Sequence, residues 1–385
     1  MKTTAPVSRV TKLVIITAFI LYSAYNVVLT ALQDFVLFIS ADAGALGTSF
    51  GIFTLAAVLS RFLSGWILEK IDDAVALILG NLVVTIVLAA YPYAQHITVI
   101  YAIRAIQGFG WALSTVTVLT MVAENTESSR VSVALGYLNV FGSLSLLMFP
   151  VLGSWIITIQ SLETFRITFL LAVVISGMST GLSVYAWKSI PPVITHDIPV
   201  SGLPDRAMFR PTLSVFLLFI SQGVLLSYSP EISILNGIDN PGVFFSVFAS
   251  AQIIGSALGG FWTEKSGYGP VAALGSLSVV SGVLLLALLH GAIPYAASAF
   301  IVGLGFAVAN IALNSYVSVV STSSEAKGMA MYSAGADTAV ATGSFGTAIL
   351  LALGWEIPSI LSVLLLPALV SSLFSYFMID YDTSQ

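Results

Sequence analysis

Cysteine is absent from the 385 residues, which excludes disulfides and thiolate metal sites. Charge is almost as scarce: charged residues make up 8% of the chain, against roughly a quarter in a soluble globular protein. Water is therefore not the solvent for most of this surface. The net charge of −5 is small and spread out, with no basic patch, so nucleic acid is not an expected partner. The three histidines, His96, His196 and His290, fall in loops or at the ends of apolar runs without metal-ligand spacing. No metal or cofactor is expected. A glycine-rich phosphate loop ending in Lys-Ser/Thr is missing, so ATP is not the expected energy source. Nor is there a nucleophile–base constellation, which leaves a membrane-embedded enzyme or a receptor as a weaker reading than a carrier.

What the chain has is apolar length. Hydrophobic residues make up 57% and the mean hydropathy is +1.00. Apolar runs of about twenty residues recur throughout, and in lipid such runs must be helices, because each backbone group has to be satisfied within its own segment. The expected fold class is an all-α membrane protein with twelve transmembrane helices, near 12–38, 46–68, 74–94, 98–122, 131–157, 165–187, 211–235, 241–262, 270–289, 293–319, 328–353 and 356–378. The basic start, Met1 to Lys12, lacks a small-residue cleavage site, so the first run is expected to stay as a helix. Lys188 to Arg210 carries Pro191, Pro192, Pro199 and Pro204 without apolar periodicity, and reads as a linker. The expected organisation is a six-helix bundle over 1–187, a linker over 188–210 and a second six-helix bundle over 211–385.

Lysine and arginine favour cytoplasmic loops. With the N-terminus inside, Lys2, Arg9, Lys12, Lys70, Arg130, Lys188, Arg206, Arg210, Lys265 and Lys327 all fall on the cytoplasmic side, and the even number of spans returns the C-terminus there. Only Arg166 lies near the outer surface, while Arg61 and Arg104 fall within spans.

The chain is one unit written twice. Gly65-Trp66-Ile67-Leu68-Glu69-Lys70 returns 195 residues later as Gly260-Phe261-Trp262-Thr263-Glu264-Lys265, and the match runs without a gap through Gly80/Gly275, Gly108/Gly303, Gly110/Gly305 and Tyr137/Tyr332. Ser60-x-x-x-Ser64 becomes Gly255-x-x-x-Gly259, a small-x-x-x-small surface for helix contact in either copy. An even number of spans per copy gives both the same orientation, as parallel repeats.

Together with the glycine-plus-charge stretch after spans 2 and 8, this layout resembles the major facilitator superfamily over nearly the whole chain. That family writes Gly-x-x-x-Asp-Arg/Lys-x-Gly-Arg-Arg/Lys after span 2; here the stretch is Gly65-x-x-x-Glu69-Lys70-Ile71-Asp72-Asp73, with the distal Gly-Arg replaced by two acids. Span 4 carries Arg104-x-x-Gln107-Gly108-x-Gly110-x-Ala112, similar to the family's Arg-x-x-Gln-Gly-x-Gly-x-Ala. Span 5 keeps Gly136, Pro150 and Gly153 of the signature written by the family's antiporters, with Ser145, Phe149 and Ser154 in place of other glycines.

The resemblance implies a secondary active transporter working by alternating access, without cofactor, functional as a monomer in the plasma (inner) membrane. Its partners would be the lipid bilayer, a small-molecule substrate and protons. It implies a cytoplasmic latch at Gly65, Glu69, Lys70, Gly260, Glu264 and Lys265. Export by proton antiport is the first expectation and uptake by symport the second. Proton coupling falls to Asp34, Arg104 and Asp337: an acid within the bilayer has its carboxyl raised by desolvation and lowered by a nearby arginine. On helical angles Arg104, Gln107 and Trp111 share one face of span 4, and Tyr22, Asn26 and Gln33 share one face of span 1, with Asp34 on its flank. Tyr137, Asn139, Gln222, Tyr228, Asn310, Asn314 and Tyr332 complete the expected substrate cavity; amides and phenols among apolar walls suit an uncharged or weakly charged organic solute. Each of these residues has an alternative role in packing. Glu231 reads as a mouth residue, and Arg61 as a contact to a neighbouring helix or Glu69.

Overall fold

The structure is a computed structural model, and it describes residues 8–68, 70–126, 131–157, 159–189, 206–320 and 325–378. Among these residues there are thirteen α-helices and no strand. They are α1 (Arg9–Ser40), α2 (Gly44–Leu68), α3 (Asp73–Ala90), α4 (Ile97–Glu124), α5 (Val131–Ile156), α6 (Leu162–Ser189) and α7 (Phe209–Ser227). There follow α8 (Ser229–Leu235), α9 (Gly242–Ser266), α10 (Tyr268–Leu288), α11 (Ala292–Val320), α12 (Glu325–Ala352) and α13 (Ile357–Met378).

Eleven of these are long and apolar enough to cross a membrane. Of the two others, α8 is a short helix made by a break in the expected seventh span. Tyr228 leaves helical geometry there (φ −114°, ψ 21°), and Pro230, which lacks an amide donor, sits in the first turn of the resumed helix. The remaining helix, α12, has the length; its many Gly, Ala, Ser and Thr residues and Asp337 dilute its apolar character.

The chain divides into two compact units, one of Met1–Ile39 with Leu55–Ile198, the other of Ser40–Thr54 with Pro199–Gln385. Within each, the same glycines make the same crossing. A Cβ added to Gly80 on α3 would stand 3.0 Å from the Gly110 carbonyl of α4, and one added to Gly275 on α10 would stand 2.7 Å from the Gly305 carbonyl of α11. Only hydrogen lets backbones approach this closely. Gly255 and Gly259 face Leu304, Val308 and Ile311 of α11, as the small-x-x-x-small spacing requires, and Ser60 and Ser64 are buried in the other copy.

Buried hydroxyls extend the parallel. Ser179 on α6 donates to the Thr17 carbonyl of α1 at 2.9 Å, and Ser371 on α13 donates to the Ser214 carbonyl of α7 at 2.8 Å. Asn81 on α3 donates to Ser179 and Ser183 of α6, where α10 and α13 use Ser276 and Ser371 at 3.4 Å. Such bonds satisfy polar groups that lipid would leave unpaired.

The two acids at the departing end of the family stretch have a local explanation. Asp72 is the N-cap of α3, accepting from the amides of Ala74 and Val75 at 2.9 and 3.3 Å, and Asp73 follows in the first turn, where the helix dipole favours an acid. Gly267 holds the corresponding place before α10 with φ 87°, a backbone that suits glycine, and supplies no side-chain cap.

Candidate functional site

In the first unit α4 runs mostly buried, and its mid-helix signature places Arg104 1% exposed. A guanidinium enclosed at that depth requires polar company. Arg104 Nη1 donates to Gln107 Oε1 at 3.0 Å, and the Tyr91 hydroxyl donates to the same oxygen at 2.7 Å. The phenols of Tyr25 and Tyr91 lie within electrostatic reach of the same guanidinium. The Tyr91 ring stacks on Phe169 with centroids 5.0 Å apart. The arginine is thus fixed by a second helix, α1, and by the turn after α3.

Beside it stands an aromatic cluster. Trp111, two turns along α4 from Arg104, has its ring 4.5 Å from Tyr25 and 5.4 Å from Tyr22. Between Leu21 and Val36 of α1, Tyr22 and Tyr25 alone keep partial exposure, while Asn26, Gln33 and Asp34 are buried. Asp34 is 8% exposed, in the last third of α1. Tyr25 and Tyr91 were not singled out by the sequence; Tyr25 lies three residues from Tyr22, on the same face, and helical periodicity would have found it.

Asn26 goes to packing. Its Nδ2 donates to Ser145 at 2.9 Å, Thr30 donates to the Pro150 carbonyl at 3.1 Å, and Ser154 donates to Thr30 at 2.8 Å. A Cβ on Gly153 would collide with the Val27 carbonyl. Ser145, Pro150, Gly153 and Ser154 of that stretch of α5 therefore form the surface that seats α1, while Gly136 is exposed with nothing within 4 Å of an added Cβ. Tyr137 and Asn139 are exposed; Tyr137, at 45%, lies on the stripe of Met148, Leu152 and Trp155, away from the aromatic cluster.

In the second unit Tyr332 donates to Asn310 Oδ1 at 2.7 Å, joining α12 to α11. Asn314 is partly exposed one turn further along α11. Asp337 is half-buried on α12. Gln222 on α7 is partly buried, with its Oε1 enclosed and lacking a hydrogen-bond partner. Gly223 and Gly343 close the α7–α12 crossing against the carbonyls of Val340 and Ile220. Tyr228 is fully buried, and its hydroxyl accepts the Gly47 amide at 3.1 Å in the first turn of α2. A side chain on Gly47 would strike that hydroxyl and the Ser344 carbonyl, and Ser344 is itself bonded to Ser227 at 2.6 Å. Tyr228 is therefore engaged in packing the end of α7 against α12 and the first turn of α2. Glu231 follows the α7–α8 break, and partial burial raises its carboxyl above the usual range.

Of the expected latch, Glu69 lies outside the described residues. Gly65 is within α2, Lys70 is exposed after it, and Glu264 and Lys265 are exposed in the last turns of α9. A Cβ on Gly260 would meet nothing within 4 Å.

A family model described as Major Facilitator Superfamily matches residues 14–239. A search of curated proteins gives no match. Among solved structures, a mutant form of a nucleoside transporter, NupG, aligns with TM-score 0.78 at 13% identity, over 96% of this chain and 98% of that one. A D-xylose–proton symporter aligns with TM-score 0.77 at 15% identity, over 96% and 97%. The likeness in fold, the span 4 motif and the family match agree: this chain belongs to the major facilitator superfamily, and is a multi-pass membrane transporter of small solutes rather than an enzyme.

Proposed function

We propose that the chain carries a small organic solute into the cell together with protons. The observation that carries this reading is the enclosed Arg104, held by Gln107, Tyr25 and Tyr91 within a unit that also buries Asp34 in the last third of α1. A fixed cation in low dielectric stabilises a nearby carboxylate, and a carboxyl buried in the same medium resists ionisation. Asp34 would take up and release the proton, Arg104 would set its affinity, and Asp337 with Asn310, Asn314 and Tyr332 would serve the second unit. Trp111 and Gln222 would line the solute path, while the buried Gln33 and Gln107 would act through packing and through Arg104.

The names of the solved neighbours, a nucleoside transporter and a sugar–proton symporter, are in keeping with a small polar organic solute. Export by antiport is the second reading, favoured by the register of Gly136, Pro150 and Gly153 in α5. Packing of α1 already accounts for Ser145, Gly153 and Ser154, so that register lends export less weight than the sequence alone implies. Cytoplasmic termini, a plasma (inner) membrane setting, a monomeric working unit, the halves 1–187 and 211–385 joined by 188–210, and a latch at the repeated Gly-to-Lys stretches complete the proposal.

The test is counterflow in proteoliposomes. Vesicles preloaded with candidate nucleosides, sugars and organic acids are diluted into labelled solute. A solute that is exchanged and whose accumulation rises with an inward proton gradient supports the reading; exchange that an outward solute–inward proton antiport alone accelerates would transfer support to export.

A further inference from the structure

Resting on the transporter reading above, we propose that Tyr228 shuts and reopens one end of the solute path, where α7 stops and α2 starts. Its hydroxyl holds the start of α2 while that end is shut, and releases it each time solute passes there. The sequence places Tyr228 in the wall of a cavity, whereas its hydrogen bond to Gly47 gives it this other task.

The contact lies wholly inside the second unit, to which Ser40–Thr54 belongs, while α2 continues from Leu55 in the first. Gly47 and Gly51 stand one turn apart on the face of α2 that meets α7 and α12. The Tyr228 hydroxyl accepts the Gly47 amide at 3.1 Å. A side chain on Gly47 would strike that hydroxyl and the Ser344 carbonyl, and one on Gly51 would strike the Phe345 ring. Tyr228, Gly47 and Gly51 are all buried, so the first turns of α2 are shut against their neighbours.

Two features mark this joint as one that opens. The first is how it differs from the joint beside it. There α7 and α12 are fastened by Gly223 and Gly343 against the carbonyls of Val340 and Ile220, and by Ser344, which donates to the Gly223 carbonyl at 3.2 Å and bonds Ser227 at 2.6 Å. The start of α2 presents glycine hydrogens to that pair, which approach closely and leave no side chain to interlock. A neutral hydrogen bond such as Tyr228 makes contributes little net stability, so it can break and re-form in each cycle.

The second is the place of Tyr228 in the chain. It stands between α7 and α8 outside helical geometry, at φ −114° and ψ 21°, and Pro230 opens α8 without an amide to donate. Residues at the end of an element are the ones that absorb the backbone rotation of a hinge. The residue that grips α2 is therefore also the one that can turn. By contrast, the copy of the family stretch in this unit makes no comparable contact: Glu264 and Lys265 are exposed, and a Cβ on Gly260 would meet nothing within 4 Å.

The absence of native cysteine makes the test direct. Phe345 Cγ stands 2.7 Å from a Cβ added to Gly51, so the two Cβ positions lie within the roughly 4.5 Å that a disulfide allows. The full chain carrying Gly51→Cys and Phe345→Cys, oxidised with copper phenanthroline in proteoliposomes, is expected to cross-link. Cross-linking should cut counterflow of labelled uridine or D-xylose about 10-fold, and dithiothreitol should restore it. Phe345→Cys alone gives a readout that needs no solute: the rate of alkylation by N-ethylmaleimide in lipid nanodiscs, followed by mass spectrometry. Adding Tyr228→Phe should raise that rate about 10-fold with little change in melting temperature. Failure to cross-link, full counterflow by the cross-linked protein, or an alkylation rate that a folded Tyr228→Phe leaves unchanged each overturns the proposal. Should Tyr228→Phe fail to fold, the cross-link alone decides. If Tyr228→Phe speeds alkylation while the wild-type protein exchanges no nucleoside, sugar or organic acid, the transporter reading falls and the opening joint stands.

Discussion

Arg104 donates to the side-chain oxygen of Gln107 one turn along α4, and that oxygen simultaneously accepts the Tyr91 hydroxyl. One amide therefore ties a buried charge to a buried phenol. Removing either partner leaves the other desolvated, which costs about 1–3 kcal/mol for a neutral group and more for a charged one. Gln107→Leu is expected to lower the melting temperature and to cut transport at least 10-fold. Arg104→Lys keeps the charge but cannot reach Gln107, Tyr25 and Tyr91 together, and should lose transport to a similar degree with a smaller drop in stability. Tyr91→Phe, which removes one donor, should cost about 1 kcal/mol. Fluorescence-monitored thermal melts beside counterflow rates separate these outcomes.

Close crossings make a sharper statement about packing. A methyl group on Gly153 or Gly343 would strike a backbone carbonyl, of Val27 or Ile220, and backbone cannot swing aside as a side chain can. Gly177 and Gly181 on α6 have open space where a Cβ would stand. Gly153→Ala and Gly343→Ala should each lower the melting temperature by several degrees, whereas Gly177→Ala should leave it unchanged or raise it through helix propensity. A melt of Gly153→Ala indistinguishable from wild type would contradict the close α1–α5 crossing.

Glu231 gives a dependence on pH. Partial burial raises its carboxyl, so the folded state holds this proton at pH values where the unfolded chain has released it. Below the unfolded value both states are protonated and the group costs nothing. As pH rises from there to the folded value the cost of burying a carboxylate grows, so stability falls with rising pH and levels off above it. Glu231→Gln removes the titrating group. Its melting temperature should exceed wild type at neutral pH and converge with it in acid; the reverse order would show that Glu231 has a favourable ionic partner.

Much of the fold was legible because lipid allows so few structures. The helical spans, the repeat and the α3–α4 and α10–α11 crossings follow from apolar length and from paired glycines whose contacts are the same in both units. The α7–α8 break was missed, although Pro230 marks it, because apolar residues continue on either side. The site was only partly legible. Helical angles put Tyr22 on one face of α1 and Gln107 with Trp111 on one face of α4, yet they could not tell that Asn26 spends its amide on Ser145, or that Tyr228 is consumed by Gly47. Those choices depend on which helix lies opposite, and one helix's periodicity carries no record of its neighbour.

The central claim, that this transporter couples solute movement to protons through Asp34, is tested most directly by solute accumulation in proteoliposomes under an imposed pH gradient, with wild-type protein and Asp34→Asn side by side. The variant keeps the size and polarity of the side chain and cannot release a proton. The account predicts that wild-type protein accumulates solute when the outside is acid and that Asp34→Asn loses this accumulation while retaining counterflow of the same solute. Accumulation by Asp34→Asn at the wild-type level would contradict it.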